Sequence, residues 1–471
     1  MAIIPATEET YADAMTITYQ TAYQTENPDV TDQINIDEIY DDTVDLFTRT
    51  YRDYGTGDVV AAGVPWSIEL KRGVATEYTF QMGFVGQQTS VGYNLLSEGY
   101  KKSDDEMISQ GVSIIDFWTS DTIMGKAVPI VWWDPRNNAT AGQSRGYPSF
   151  LRCFTDGMEG ILDAYKIAYK NGEVHERWLA ALIKVGDFLV QKQNEDGSYY
   201  RAYNTNGSVC TDTSSNAYQG KSKLNTPIAI RFLAKMYELT GEEKYKTAAV
   251  SAAEFSYNEL YIDLEKYVGG TPDNPNTVDK EAAIYAMYGF NAAYALTGDA
   301  KYLKAAEHAA VSAMSWVYCY EFGCPASGDN KAINPFSEGR TSGFSIIATG
   351  HSGADNYSAS MYYEMFKLYI FTDNEFYLNA ARLLQNNTKL SSDYNGEMGF
   401  KYRALGPEAS NISDFNFGTV GVWLPWSGIV NIKPIGYMRD TFGNGDIDKL
   451  NLNLPELRSA LDSYGIGGKL K

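Results

Sequence analysis

The chain has 471 residues, 44% of them hydrophobic, with 42 Gly and 15 Pro, which supports a sizeable core and excludes collagen-like or disordered chains. A formal charge of −20 leaves no basic footprint for nucleic acid or an anionic membrane, and it weighs modestly against a strongly anionic polymer as substrate. Aromatic residues make up 14% of the chain, 36 of them Tyr, which suits a helical core and equally a cleft that stacks rings.

The opening stretch, MAIIPATEETYADAM, has neither a basic nor an apolar leader region, and no apolar run has bilayer length. Residues 1–82 are expected to form an N-terminal segment packed on the rest. Within it, 36–54 reads as a helix and 67–81 alternates as a two-stranded hairpin. The four cysteines, Cys153, Cys210, Cys319 and Cys324, show no zinc spacing and read as thiols, with a Cys319–Cys324 bridge as the alternative.

From residue 83 to 471 the dominant signal is an internal repeat. GYNLLSEGYKKSDDEMISQGVSIIDFW has the outline of two helices and a turn. The pattern returns in AYKIAYKNGEVHERWLAALIKVGDFLV, MYELTGEEKYKTAAVSAAEF, AYALTGDAKYLKAAEHAAVSAM and LYIFTDNEFYLNAARLLQ. In each, a helix stops at a short polar turn and a second helix opens on an aromatic residue: Trp178, Tyr245, Tyr302 or Tyr377. Thr-Gly-Glu and Thr-Gly-Asp supply the helix stop and the acidic first turn of the next helix. An apolar stretch over 420–438 gives a further helix. A repeat of roughly 66 residues divides the chain into six to seven hairpins, so the expected fold is mainly all-α: an (α/α) toroid with a small β element near its N-terminus. Long polar loops at 194–224, 261–278 and 319–350 all follow second helices, which puts them on one face of the ring.

The repeat, with its aromatic and acidic loops, resembles the six-hairpin (α/α) toroid glycosidases and the toroidal polysaccharide lyases over roughly residues 83–438. The resemblance implies action on a poly- or oligosaccharide, with active residues at the cavity mouth and, from the enzyme class, a secreted or periplasmic bacterial protein. It also leaves room for a non-catalytic glycan-binding ring, or one domain of a larger chain.

Glycoside hydrolysis needs two carboxyl groups, one protonated and one ionised. Asp156 in FLRCFTDGMEG shares a helical face with Glu159 and Asp163, or alternatively acts only as a helix cap. Asp279 and Glu281 follow the stiff loop GGTPDNPN. Asp279 suits the cap, Glu281 the proton donor, and Lys280 can neutralise one of them. Asp273 and Asn274 are oxygen ligands of the kind calcium takes, but no EF-hand spacing surrounds them, so neither a metal nor another cofactor is expected. In the third block, TGHSGADNY, His351, Asp355 and Tyr357 are the chemical candidates. A lyase would neutralise a uronate with Asn356, Arg340 or His351 and move the proton through Tyr357 or His351. Trp132, Trp133 and Trp423, together with Trp118 and Trp426, are the candidates for stacking on a sugar.

Overall fold

The computed structural model describes residues 7–30, 34–55, 60–140, 148–211, 219–261, 263–272, 274–322, 339–346, 353–410 and 422–467. Its helices are α1 (Glu8–Glu26), α2 (Ile36–Thr50), α3 (Gln88–Lys102), α4 (Asp105–Trp118), α5 (Asp121–Met124), α6 (Leu151–Lys170), α7 (Glu176–Lys192), α8 (Pro227–Thr240), α9 (Glu243–Leu260), α10 (Lys280–Thr297), α11 (Ala300–Met314), α12 (Tyr362–Thr372), α13 (Glu375–Ser391), α14 (Leu424–Phe442) and α15 (Leu454–Tyr464). None is long and apolar enough to cross a membrane.

The pairs α3/α4, α6/α7, α8/α9, α10/α11 and α12/α13 are helical hairpins. Their first helices are buried nearly all round; in α10, every residue from Lys280 to Ala293 is buried. Their second helices bury one side, as Tyr245, Ala248, Ala249 and Ala252 do on α9. The inner helices α3, α6, α8, α10, α12 and α14 touch in that order, and α14 returns to α3. The outer partner of α14 comes from the other end of the sequence: α2 packs on both α14 and α3. The ring therefore closes with six hairpins, the sixth assembled from both ends of the chain. One continuous core runs from Ile36 to Leu461.

The turns from inner to outer helix are short. Gly241 and Gly298 take φ of 72° and 71° as helix C-caps, a backbone region that costs glycine nothing. Asp299 and Asn374 then cap α11 and α13 through the backbone N–H of Lys301 and Phe376, each at 3.0 Å. The repeated aromatics are buried in the first turn of each outer helix. Three of them reach a carboxylate on the preceding outer helix. Trp178 Nε1 donates to Asp116 at 2.8 Å, Tyr245 to Asp187 at 2.8 Å, and Tyr377 to Glu307 at 3.2 Å. One marker thus pins each hairpin to its neighbour.

Every long loop enters an inner helix at its N-terminus, so the loops gather at one mouth. Short strands brace them there. Ser67–Ile68 pairs with Ala75–Glu77 and with Val422–Trp423. Phe80–Gln81 leaves the expected hairpin and pairs with Trp132–Asp134 instead. Both faces of Phe80–Gln81 are buried, so the mouth rather than the hairpin fixes its partner.

Candidate active site

At the centre of the ring lies an open cavity between the inner helices α8, α10, α12 and α14. Tyr285 and Tyr288 of α10, Tyr357 and Ser360 of the 3-10 turn Tyr357–Met361, and Trp426 of α14 form its aromatic wall. Tyr357 stacks on Trp426 with centroids 4.6 Å apart and planes 5° from parallel. Arg231, Glu364, Lys433 and Tyr437 line the deeper part.

Behind the wall, Arg152 in the first turn of α6 gathers the candidates from three hairpins. Its guanidinium makes a short ion pair with Glu281, donates to the Gly270 carbonyl at 2.7 Å and to the Tyr357 hydroxyl at 3.0 Å, and lies 3.6 Å from Asp156. It also sits over the Tyr285 and Phe84 rings at 4.6 and 4.7 Å. Tyr285 donates its hydroxyl to Asp156, 2.8 and 2.7 Å from the two oxygens. Asp156 falls in the second turn of α6 and is not its cap.

Asp279 is the N-cap of α10. It accepts from the N–H of Ala282 at 2.7 Å, Gly270 at 2.8 Å and Thr271 at 3.4 Å. Gly270 is required there, because a Cβ would lie 2.2 Å from the Ala282 nitrogen. Lys280 reaches Asp355 at 3.1 Å, and Asp355 also accepts from the Tyr357 N–H. Two cations, Arg152 and Lys280, therefore serve four buried carboxyl groups, so full ionisation would leave uncompensated negative charge. Burial pushes Glu281 up to about 7, outweighing Arg152 and Lys280 beside it. Burial also raises Asp279, against the pull of its backbone N–H donors.

The rest of the α6 stripe lies deeper. Glu159 takes the Arg231 guanidinium at 3.0 and 2.9 Å and Lys235 at 3.4 Å. Burial raises its pKa, but Arg231, Lys235 and Lys433 together hold it at about 2. Asp163 takes Lys235 at 3.2 Å and the Tyr437 hydroxyl at 2.8 Å. Glu364 pairs with Lys367 at 2.9 Å and accepts from Asn291 at 2.8 Å.

The structure brings Asp156, Glu281 and Tyr357 together around Arg152, with Asp279 and Asp355 one contact further out. His351 and Asp273 lie outside the described residues. Asn356 is fully buried next to Tyr357, and neither side-chain amide atom has a hydrogen-bond partner among the described residues. Arg340 is half-buried in the loop after α11 and does not line the cavity. Trp132 and Trp423 flank Trp66 at 5.0 and 6.0 Å, forming an aromatic cluster at the mouth with Trp423 37% exposed. Trp133 is buried against Phe117. No group of three or more metal-ligating side chains occurs among the described residues.

Sequence reasoning passed over Arg152, Tyr285, Arg231 and Lys433. Their signal is a cation or phenol inside an otherwise apolar inner helix, as in PIAIRFLAKM, where Arg231 and Lys235 recur one turn apart.

Solved structures share this fold. A sugar epimerase from a ruminal bacterium superposes with a TM-score of 0.58 at 10% identity, over 85% of this chain and 98% of that one. Cellobiose 2-epimerase from Bacillus thermoamylovorans gives 0.57 at 11% identity, over 84% and 98%. A D-mannose isomerase gives 0.56 at 11%, over 84% and 97%. No family model matches the chain, and no curated protein sequence does.

Proposed function

We propose that the protein is a carbohydrate-processing enzyme that holds one or two sugar units of an oligosaccharide or chain end in the ring cavity, without a cofactor, and cleaves a glycosidic bond by acid–base catalysis. The observation that carries the reading is the buried cluster in which the Glu281 carboxyl, whose pKa burial raises to about 7, is tied through Arg152 to a tyrosine of the cavity wall. A general acid works best with its pKa near the working pH. Asp156 is the partner carboxylate, joined to the cavity through the Tyr285 hydroxyl. Trp426 and the tyrosines give the apolar faces on which a sugar ring stacks, and the fold neighbours named above are sugar epimerases and an isomerase.

A second reaction class has its own support. Arg152 lies between Asp156 and Glu281, and the cavity-lining groups that touch this cluster are the phenols Tyr285 and Tyr357. That arrangement suits proton transfer at a sugar carbon, which leads to β-elimination from a uronic-acid-containing glycan or to epimerisation.

One experiment separates these outcomes. The protein is incubated in D2O with neutral and uronic-acid oligosaccharides, and reducing ends, unsaturated-product absorbance and deuterium at carbon are followed. New reducing ends without absorbance are expected. Absorbance, or deuterium at carbon without cleavage, would replace hydrolysis by the second class. Absence of all three across the panel would sink the enzyme reading.

A further inference from the structure

The deep part of the cavity carries a cation with no direct partner among the described residues, on which Glu159 and Asp156 act only from beyond ion-pair distance. Arg231, Lys235, Lys367 and Lys433 face Glu159, Asp163 and Glu364. The first three cations have carboxylate partners at 2.9, 3.2 and 2.9 Å. Lys433 lines the cavity and makes no ion pair or hydrogen bond among the described residues. Seven residues earlier on the same face of α14, Trp426 also lines the cavity, and its indole N–H has no acceptor. A buried donor such as this indole N–H is normally satisfied, and the half-buried Lys433 side chain borders the same space.

We propose that the cavity floor is an anion-accepting subsite, in which Lys433 beside Arg231 holds the charged group of a sugar while Trp426 Nε1 donates to one of its oxygens. The chemistry fits a carboxylate of a sugar acid or a phosphate ester. Two helical turns, about 10 Å, separate the two donors, which matches a ligand lying lengthwise along α14. A carboxylate or phosphate accepts from the ammonium as a charge-assisted bond. The inference rests on the reading that the cavity takes a sugar, and it narrows that sugar to an anionic one.

Calorimetric titration of the whole chain with glucuronate, glucose 6-phosphate and glucose tests it. At least one charged sugar is expected to bind about tenfold tighter than glucose, the size of one charged hydrogen bond. Whichever binds identifies the carboxylate or the ester as the source. Lys433→Met is expected to erase that preference, and Lys433→Arg to keep most of it. Added salt should weaken only the charged sugar, a readout on unaltered protein that holds even if a variant fails to fold. Equal affinity for all three sugars, or an intact preference in Lys433→Met, would overturn the subsite and leave the sugar cavity standing. If no sugar binds, the carbohydrate reading falls with it.

Discussion

The Tyr285 hydroxyl donates to Asp156 at 2.8 and 2.7 Å, and so joins an inner helix of the fourth hairpin to a carboxylate of the second. The phenol ring borders the cavity while the carboxylate lies behind it, so Tyr285 is the contact between Asp156 and anything bound.

Tyr285→Phe keeps the ring and removes that contact. Turnover is expected to fall by about 10² or more, as for loss of a positioned proton-transfer group. The helical circular dichroism spectrum should be unchanged. Unaltered turnover would place Asp156 outside the chemistry.

Glu281 has a folded-state pKa of about 7 against an ordinary 4.5. An acid raised on folding contributes its full stability below the unfolded pKa and loses it as pH rises through the folded one. Between about pH 4.5 and 7 the Glu281 contribution therefore falls with rising pH. Glu281→Gln removes this dependence. Thermal melts across the window should be flatter for the variant than for the parent, and its hydrolytic activity should be lost. A slope equal to the parent's would show that Glu281 titrates elsewhere.

Arg231 neutralises Glu159 deep in the ring, with its guanidinium 4.4 Å from the Tyr288 ring centre. Arg231→Met leaves Glu159 with Lys235 and the more distant Lys433, and is expected to destabilise by about 3–5 kcal/mol, the usual cost of breaking one side of a buried pair. Adding Glu159→Gln should restore part of that loss, as read by denaturant unfolding. Strict additivity of the two changes would mean the residues do not act as a pair.

Tyr245 tests the repeat marker. Tyr245→Phe loses only the bond to Asp187, which Lys244 also holds at 2.7 Å, so about 1 kcal/mol or less is expected. Tyr245→Ala empties a fully buried site and should cost about 3–5 kcal/mol. Similar losses for both would locate the role in the hydroxyl rather than in packing.

The repeat was legible because it is local. A Gly or Asp stop, a capping residue and a first-turn aromatic all act within a few residues, so Trp178, Tyr245, Tyr302 and Tyr377 mark hairpins without any knowledge of their neighbours. The one-sided loops follow from the same order of helices. The closure was not legible, because α2 completes the sixth hairpin from the far end of the chain, and contact across that separation leaves no local spacing. At the site, Asp156, Glu281 and Tyr357 stood out as chemical residue types beside loops. Arg152 did not, since an arginine in FLRCFTDGMEG looks like any helix cation until Glu281 and Tyr357 arrive from other hairpins.

By itself, then, the sequence determined a ring of helical hairpins with its long loops on one face, because helix stops, caps and amphipathic faces are short-range properties. Only the tertiary structure decided which charges meet. It paired Lys280 with Asp355 and Asp279 with the α10 backbone, set Glu281 against Arg152, and left Lys433 facing the cavity with no direct partner among the described residues. The physical reason is that burial and opposite charge act through distance in space, and the inner helices that bring these groups together are separated by whole hairpins along the chain.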